Sequence, residues 1–172
     1  ATYTNVWNKL DPKENDETGY MSCGAGDKNT CSYVLNAGLT PTAGTFQTAI
    51  NYYKGVGYTS PIQAWCQKSF IIYVTDGLPS VNEGGNPGSA DTLMPTVLAR
   101  IDSLRNTQYS SNQYDIRTYV LGVGLSDEAK VKLDDMAVRG GTDVSGHAYY
   151  ADDPGQLIDA LGQIFKSVVE SA

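Results

Sequence analysis

Phe70-Ile71-Ile72-Tyr73-Val74-Thr75-Asp76-Gly77 is the stretch from which the rest of the chain can be ordered. Phe70 to Val74 form a nearly continuous apolar run within residues 68–75, the pattern of a strand covered on both faces. Asp76-Gly77 ends it. Upstream, residues 43–54 place Phe46, Ala49, Ile50 and Tyr53 at helical spacing, and Gly55 stops them. Downstream, a Gly/Asn loop over 80–90 leads to a helix carrying Leu93, Val97, Leu98, Ile101 and Leu104, where Pro95 is tolerable only in the first turn. Residues 115–122 read as a second strand through Ile116, Tyr119, Val120 and Leu121. Ser126 is placed to cap the next helix, with Asp127 and Glu128 in its first turn and Gly140-Gly141 past its end. Residues 148–151 are a short strand. Asp153-Pro154 opens a last helix with Leu157, Leu161, Ile164, Phe165 and Val168 on one face. Strands alternating with helices predict an α/β fold, a doubly wound and mostly parallel sheet with helices on both faces.

Such sheets bind ligands at the carboxyl ends of their strands. Asp76 sits at one such end. Gly38-Leu39-Thr40-Pro41-Thr42 precedes the first helix and belongs to the same edge. A hydroxyl from Thr40 and the Asp76 carboxylate could share a hard cation such as Mg²⁺. The alternative is a helix cap at Thr40 or Thr42 and a turn residue at Asp76.

The chain has 172 residues, enough for one domain with a sizeable core. Residues 40–170 form its α/β part and residues 1–39 an irregular N-terminal part. Residues 1–7 and 32–35 are candidate strands. Between them, residues 11–17 form an acidic loop in which Asp11, Asn15, Asp16 and Glu17 do not match the spacing of an EF-hand. Cys23 and Cys31 flank a Gly/Asp/Asn turn that suits a disulfide-closed hairpin, with two reduced thiols as the alternative. Cys66 is then left buried, or paired with a segment outside the sequence. The chain opens on Ala1, which reads as a processed or trimmed start.

Twelve basic against 19 acidic residues give a net charge of −7, which argues against nucleic-acid binding and against docking on anionic membranes. No apolar run approaches the roughly 20 residues of a membrane span. Enzymatic signatures are missing as well. Gly122-Val123-Gly124 would put Asp127 where a dinucleotide fingerprint has its third glycine, a carboxylate facing the pyrophosphate. There is no phosphate-binding G-x-x-x-x-G-K-[ST] loop. The single histidine, His147, has no G-x-S-x-G serine to activate and reads as a polar residue in a Gly-rich turn. Asp134-Asp135 and Asp152-Asp153 read as solvated or capping carboxylates.

Read in order, several segments resemble a von Willebrand factor A domain. They are the threonine motif at 38–42, the strand and Asp-Gly motif at 70–77, the strand at 116–124, Met136 to Gly141, and the last strand and helix. The likeness covers about residues 38–170. The stretch from Cys66 to Gly77 is similar, more narrowly, to the A domain of PilC/PilY-type proteins at the tips of bacterial type IV pili.

The resemblance implies a three-layer fold and a divalent-metal adhesion site in which Thr40 and Asp76 are metal ligands. Leu78, Ser80, Asn82 and Glu83 would lie where a partner docks. Mg²⁺ or Mn²⁺, with Ca²⁺ as a third option, would bind only with an Asp-x-Ser-x-Ser segment that residues 1–39 lack. The family's first strand would then come from an upstream segment or a second chain. The implied protein is a secreted, cell-surface adhesion or assembly module rather than an enzyme. Its partners would be pilin or pilus-tip subunits, or a protein or host-surface ligand offering a carboxylate. A metal-independent structural domain of a pilus or surface assembly is the alternative, and a hydrolase a weaker one.

Overall fold

The computed structural model describes residues 39–171, and the following concerns these. Cys23, Cys31, the acidic loop and the two candidate N-terminal strands lie outside the described residues.

The order of elements is α1 (Thr42–Lys54), β1 (Phe70–Thr75), α2 (Ala90–Arg105), β2 (Thr107–Tyr109), β3 (Asn112–Tyr114), β4 (Arg117–Val123), α3 (Asp127–Gly140), β5 (Tyr149–Ala151) and α4 (Pro154–Ser171). β1, β4 and β5 form a parallel sheet in the order β1-β4-β5. Phe70 pairs with Arg117 through to Thr75 with Gly122, and Leu121 to Val123 pair with Tyr149 to Ala151. The chain is therefore mixed α/β with four helices and a small parallel sheet among the described residues.

Alternation along the strands divides the core between two faces. Ile71, Tyr73 and Val120 turn toward α1, α2 and α3, where they meet Phe46, Ile50, Val97, Ile101, Leu133 and Met136. Phe70, Ile72, Tyr119 and Leu121 turn the other way and pack on Ala160, Ile164 and Leu161 of α4. Helices thus cover both faces, three on one and one on the other. α2 and α3 are also linked by the ion pairs Asp91–Lys132 and Asp102–Arg139.

Four details differ from the sequence reading. The strand buried on both faces is β4, whose Thr118 to Gly122 are all buried; β1 is the more apolar run yet only half covered, with Val74 51% exposed. Its cover among the described residues is incomplete because it has a neighbour on the β4 side only, and its alternate residues Phe70, Ile72 and Val74 turn to the face with a single helix. Pro95 is not in the first turn of α2. Ser89 caps the helix, accepting from the Thr92 N–H, so Pro95 is the sixth helical residue. Its missing N–H leaves the carbonyl of Asp91 without a helical donor, at a solvent-exposed position. Phe165 faces outward, 56% exposed, because Leu157, Leu161, Ile164 and Val168 already fill the stripe on the sheet. Cys66 is exposed rather than buried, and is free among the described residues.

Candidate functional site

The carboxyl ends of β1 and β4 define one edge of the sheet. Asp76 follows β1 directly. The turn there is held by Thr75, whose buried hydroxyl donates to the Gly77 carbonyl (2.8 Å) and accepts from the Gly77 N–H (3.2 Å). With its backbone held on both sides, the Asp76 side chain projects into solvent.

Thr40 reaches the same place from the other direction. Its N–H donates to Ser80 Oγ (2.7 Å), and the Ser80 N–H donates back to the Thr40 carbonyl (3.1 Å). This reciprocal pair ties the segment entering α1 to the segment leaving β1. Gly77 lies beside Thr40: a Cβ there would sit 3.9 Å from Thr40 Oγ1. α1 anchors the arrangement through Thr42, whose hydroxyl shares a 3.0 Å hydrogen bond with the Tyr73 hydroxyl of β1. Thr40, Asp76 and Ser80 are therefore gathered on one sheet edge.

The other residues of this edge have structural partners. Asn82 organises the following loop: its side-chain oxygen accepts from the N–H groups of Gly84 and Asn86, both at 2.9 Å. Glu83 forms a two-pronged ion pair with Arg100 of α2, at 2.5 and 2.8 Å. The Arg100 guanidinium beside it holds the Glu83 carboxyl below the usual range. Leu78 packs against the core on the three-helix side. Ser80 keeps its hydroxyl hydrogen for a further acceptor while receiving the Thr40 N–H.

As a cation site this edge is incomplete. Mg²⁺ takes about six oxygen donors, some of them water. Thr40 and Asp76 supply one hydroxyl and one carboxylate, and no group of three carboxylate, imidazole or thiol side chains able to hold a metal occurs among the described residues. The two residues fit such an ion only as part of a larger donor set.

A second polar cluster escaped the sequence reading. Asp134 of α3 accepts from the Ala148 N–H (2.8 Å) and the Tyr150 hydroxyl (2.6 Å), and it pairs with His147 Nδ1 (3.0 Å). Burial alone would raise the Asp134 pKa. Hydrogen bonds from Tyr150, Ala148 and His147 outweigh it and hold the carboxyl below its ordinary value. Burial, followed by the bond to Asp134, pushes the Tyr150 phenol upward. Because Asp134 is separated from its partners by 13 to 16 residues, only tertiary structure brings them together. The spacing of Asp134 within α3, one turn before Val138, gives no sign of it.

No helix among the described residues is long and apolar enough to cross a membrane. No protein-family model, curated protein or solved structure matches this chain.

Proposed function

We propose that this chain is an adhesion or assembly module built on a von Willebrand factor A-like fold. Its sheet edge at Thr40 and Asp76 contributes to a divalent-metal site that a partner's carboxylate completes. The observation that carries the reading is the convergence of Thr40 and Asp76, from segments 36 residues apart, onto one edge through the Thr40–Ser80 bonds. β1 adds support. It is a strongly apolar strand with one neighbour among the described residues, as expected if a further strand pairs beside it. That strand would bring the Asp-x-Ser-x-Ser donors which residues 1–39 lack. The setting is extracellular, at a cell surface or pilus tip. The role is binding rather than turnover: the one histidine pairs through Nδ1 with Asp134, and among the described residues no nucleophile is hydrogen-bonded to it.

Metal binding by the assembled protein should raise its melting temperature through linkage, since only the folded edge collects the donors. Melting with and without millimolar Mg²⁺ or Mn²⁺ is the test. A gain that disappears in Asp76→Ala, and survives in the exposed control Asp127→Ala, supports the reading. An identical melting curve with either ion, in protein that includes the complementing segment, overturns the metal-dependent form.

The shortage of donors at the edge favours a second reading, a metal-independent structural domain of the same kind of assembly. That domain would assemble with its pilus or surface partners equally well in EDTA and in Mg²⁺.

A further inference from the structure

Along the lateral edge of the sheet, β5 and α4 line an open groove of about 460 Å³ that the proposed metal edge does not use. The volume lies in the range of small-molecule sites, roughly 300–1,000 Å³. Its chemistry is distinctive. Gln156, Asp159 and Gln163 line it from α4, at positions that share one helical face, and His147 and Tyr149 line it from the β5 side. Ala148 and Ala160 form apolar floor between them. Among the described residues, no lysine or arginine lines it.

Several of these groups have hydrogen-bonding capacity to spare. His147 uses Nδ1 on Asp134, which leaves Nε2 for a ligand. Gln156 spends its oxygen on the Asp152 N–H and keeps its amide donors. The Tyr149 hydroxyl, the Asp159 carboxylate and the Gln163 amide bond to no described residue.

We infer that this groove binds a neutral sugar. A phosphate, sulfate or carboxylate ligand would meet Asp159 with no cation among the described lining residues to offset it. An ammonium ligand would suit Asp159 but has no acceptor for the donors of Gln156 and Gln163. Hydroxyl groups donate and accept at once, so vicinal hydroxyls match carboxamide, carboxylate and imidazole together. The Tyr149 ring and the two alanines supply apolar surface for the C–H face of a pyranose. A peptide strand added to β5 is disfavoured by the edge itself. β5 has three residues, and the N–H groups flanking Tyr149 to Ala151 are taken, Ala148 by Asp134 and Asp152 by Gln156. The inference does not rest on the metal reading.

The test is a titration of the isotope-labelled chain followed by amide chemical shifts. The probes are glucose, galactose, mannose, N-acetylglucosamine and their common disaccharides, with sialic acid as the anionic control. At least one neutral sugar should shift His147, Tyr149 and Gln163 saturably, while sialic acid does not. Asp159→Ala and Gln163→Ala replace exposed helical residues, so melting temperature should hold while affinity falls about tenfold or more for the charged Asp159 and about fivefold for the neutral Gln163. The proposal is overturned if no neutral sugar in the panel perturbs these resonances at tens of millimolar. It is equally overturned if the perturbed residues lie elsewhere, if both variants bind as the parent does, or if sialic acid binds as well as the neutral sugars.

Discussion

Asp134 is held by three different residues, Tyr150, Ala148 and His147, and its replacement separates charge from geometry. Asp134→Ala removes the acceptor for the Ala148 N–H and the Tyr150 hydroxyl at a site only 19% exposed, and should cost roughly 2 kcal/mol in chemical denaturation. Asp134→Asn keeps an oxygen for those donors and should cost less. The pH dependence follows from the direction of the shift. The folded carboxyl titrates below its unfolded value, so its contribution is complete above about pH 4 and lost as pH falls through the lower folded value. Melting temperature should therefore decline more steeply below about pH 4 in the parent than in Asp134→Asn. Parallel curves for the two proteins would show that the carboxyl is not held low. The Glu83–Arg100 pair shares the direction of shift but not the burial, and exposed pairs of this kind contribute about 1 kcal/mol or less.

Among the elements, two positions carry opposite predictions. Gly140 closes α3 where the helix presses on β4, and a Cβ there would collide with the Thr118 carbonyl. That neighbour is backbone at the centre of the sheet and cannot move aside, so Gly140→Ala should destabilise by about 1–3 kcal/mol. A melting temperature equal to the parent's would mean that α3 sits further from β4. Pro95 is the reverse case. It interrupts α2 at an exposed position, where alanine restores the donor to the Asp91 carbonyl. The helical gain of up to about 3 kcal/mol is partly offset by the freer unfolded chain, leaving a stabilisation on the order of 2 kcal/mol. A loss of stability would show that the proline ring has packing worth more than the helical bond.

The same elements show what was legible in the sequence. Ser126 with Asp127 and Glu128, and Gly141 at φ +68°, mark both ends of α3 through local chemistry, and local chemistry is visible in sequence. Thr40 and Asp76 were legible as positions, since strand ends and helix starts fix them. The hairpin of β2 and β3 was not. Its turn is Ser110-Ser111, both left-handed at φ +47° and +66°, without the Asn-Gly or Asp-Gly pair that ordinarily announces such a turn. Periodicity overstated Phe165 because an apolar residue one step around a helix extends the stripe, whereas the sheet has room only for the residues already on it. Ser80 and Asp134 act on groups 40 and 14 residues away, and no spacing rule reaches that far.

At the scale of the whole molecule, the two edges of the sheet are built differently. Beyond β5 the edge is blunted: three residues, with flanking N–H groups held by the side chains of Asp134 and Gln156. Among the described residues the edge beyond β1 runs for six residues, all apolar up to Thr75, with Val74 exposed on the sparsely covered face. A long, apolar, unblunted edge invites pairing with another strand, and natural proteins rarely leave one open to water. In a parallel ladder successive residues point their N–H groups to alternate sides, so only every second amide of β1 is protected by β4. Hydrogen exchange therefore distinguishes a covered edge from an open one. In the assembled protein with Mg²⁺, the β1 amides that point away from β4 should exchange as slowly as those that point toward it. Adding a charge on the strand, as in Val74→Lys, should speed the outward amides by an order of magnitude or more while β4 stays protected, because burying an unpaired ammonium opposes docking. Fast exchange of the outward amides in the assembled parent would mean that this edge faces water. The added-strand account of the metal site would then fall, leaving the metal-independent structural domain.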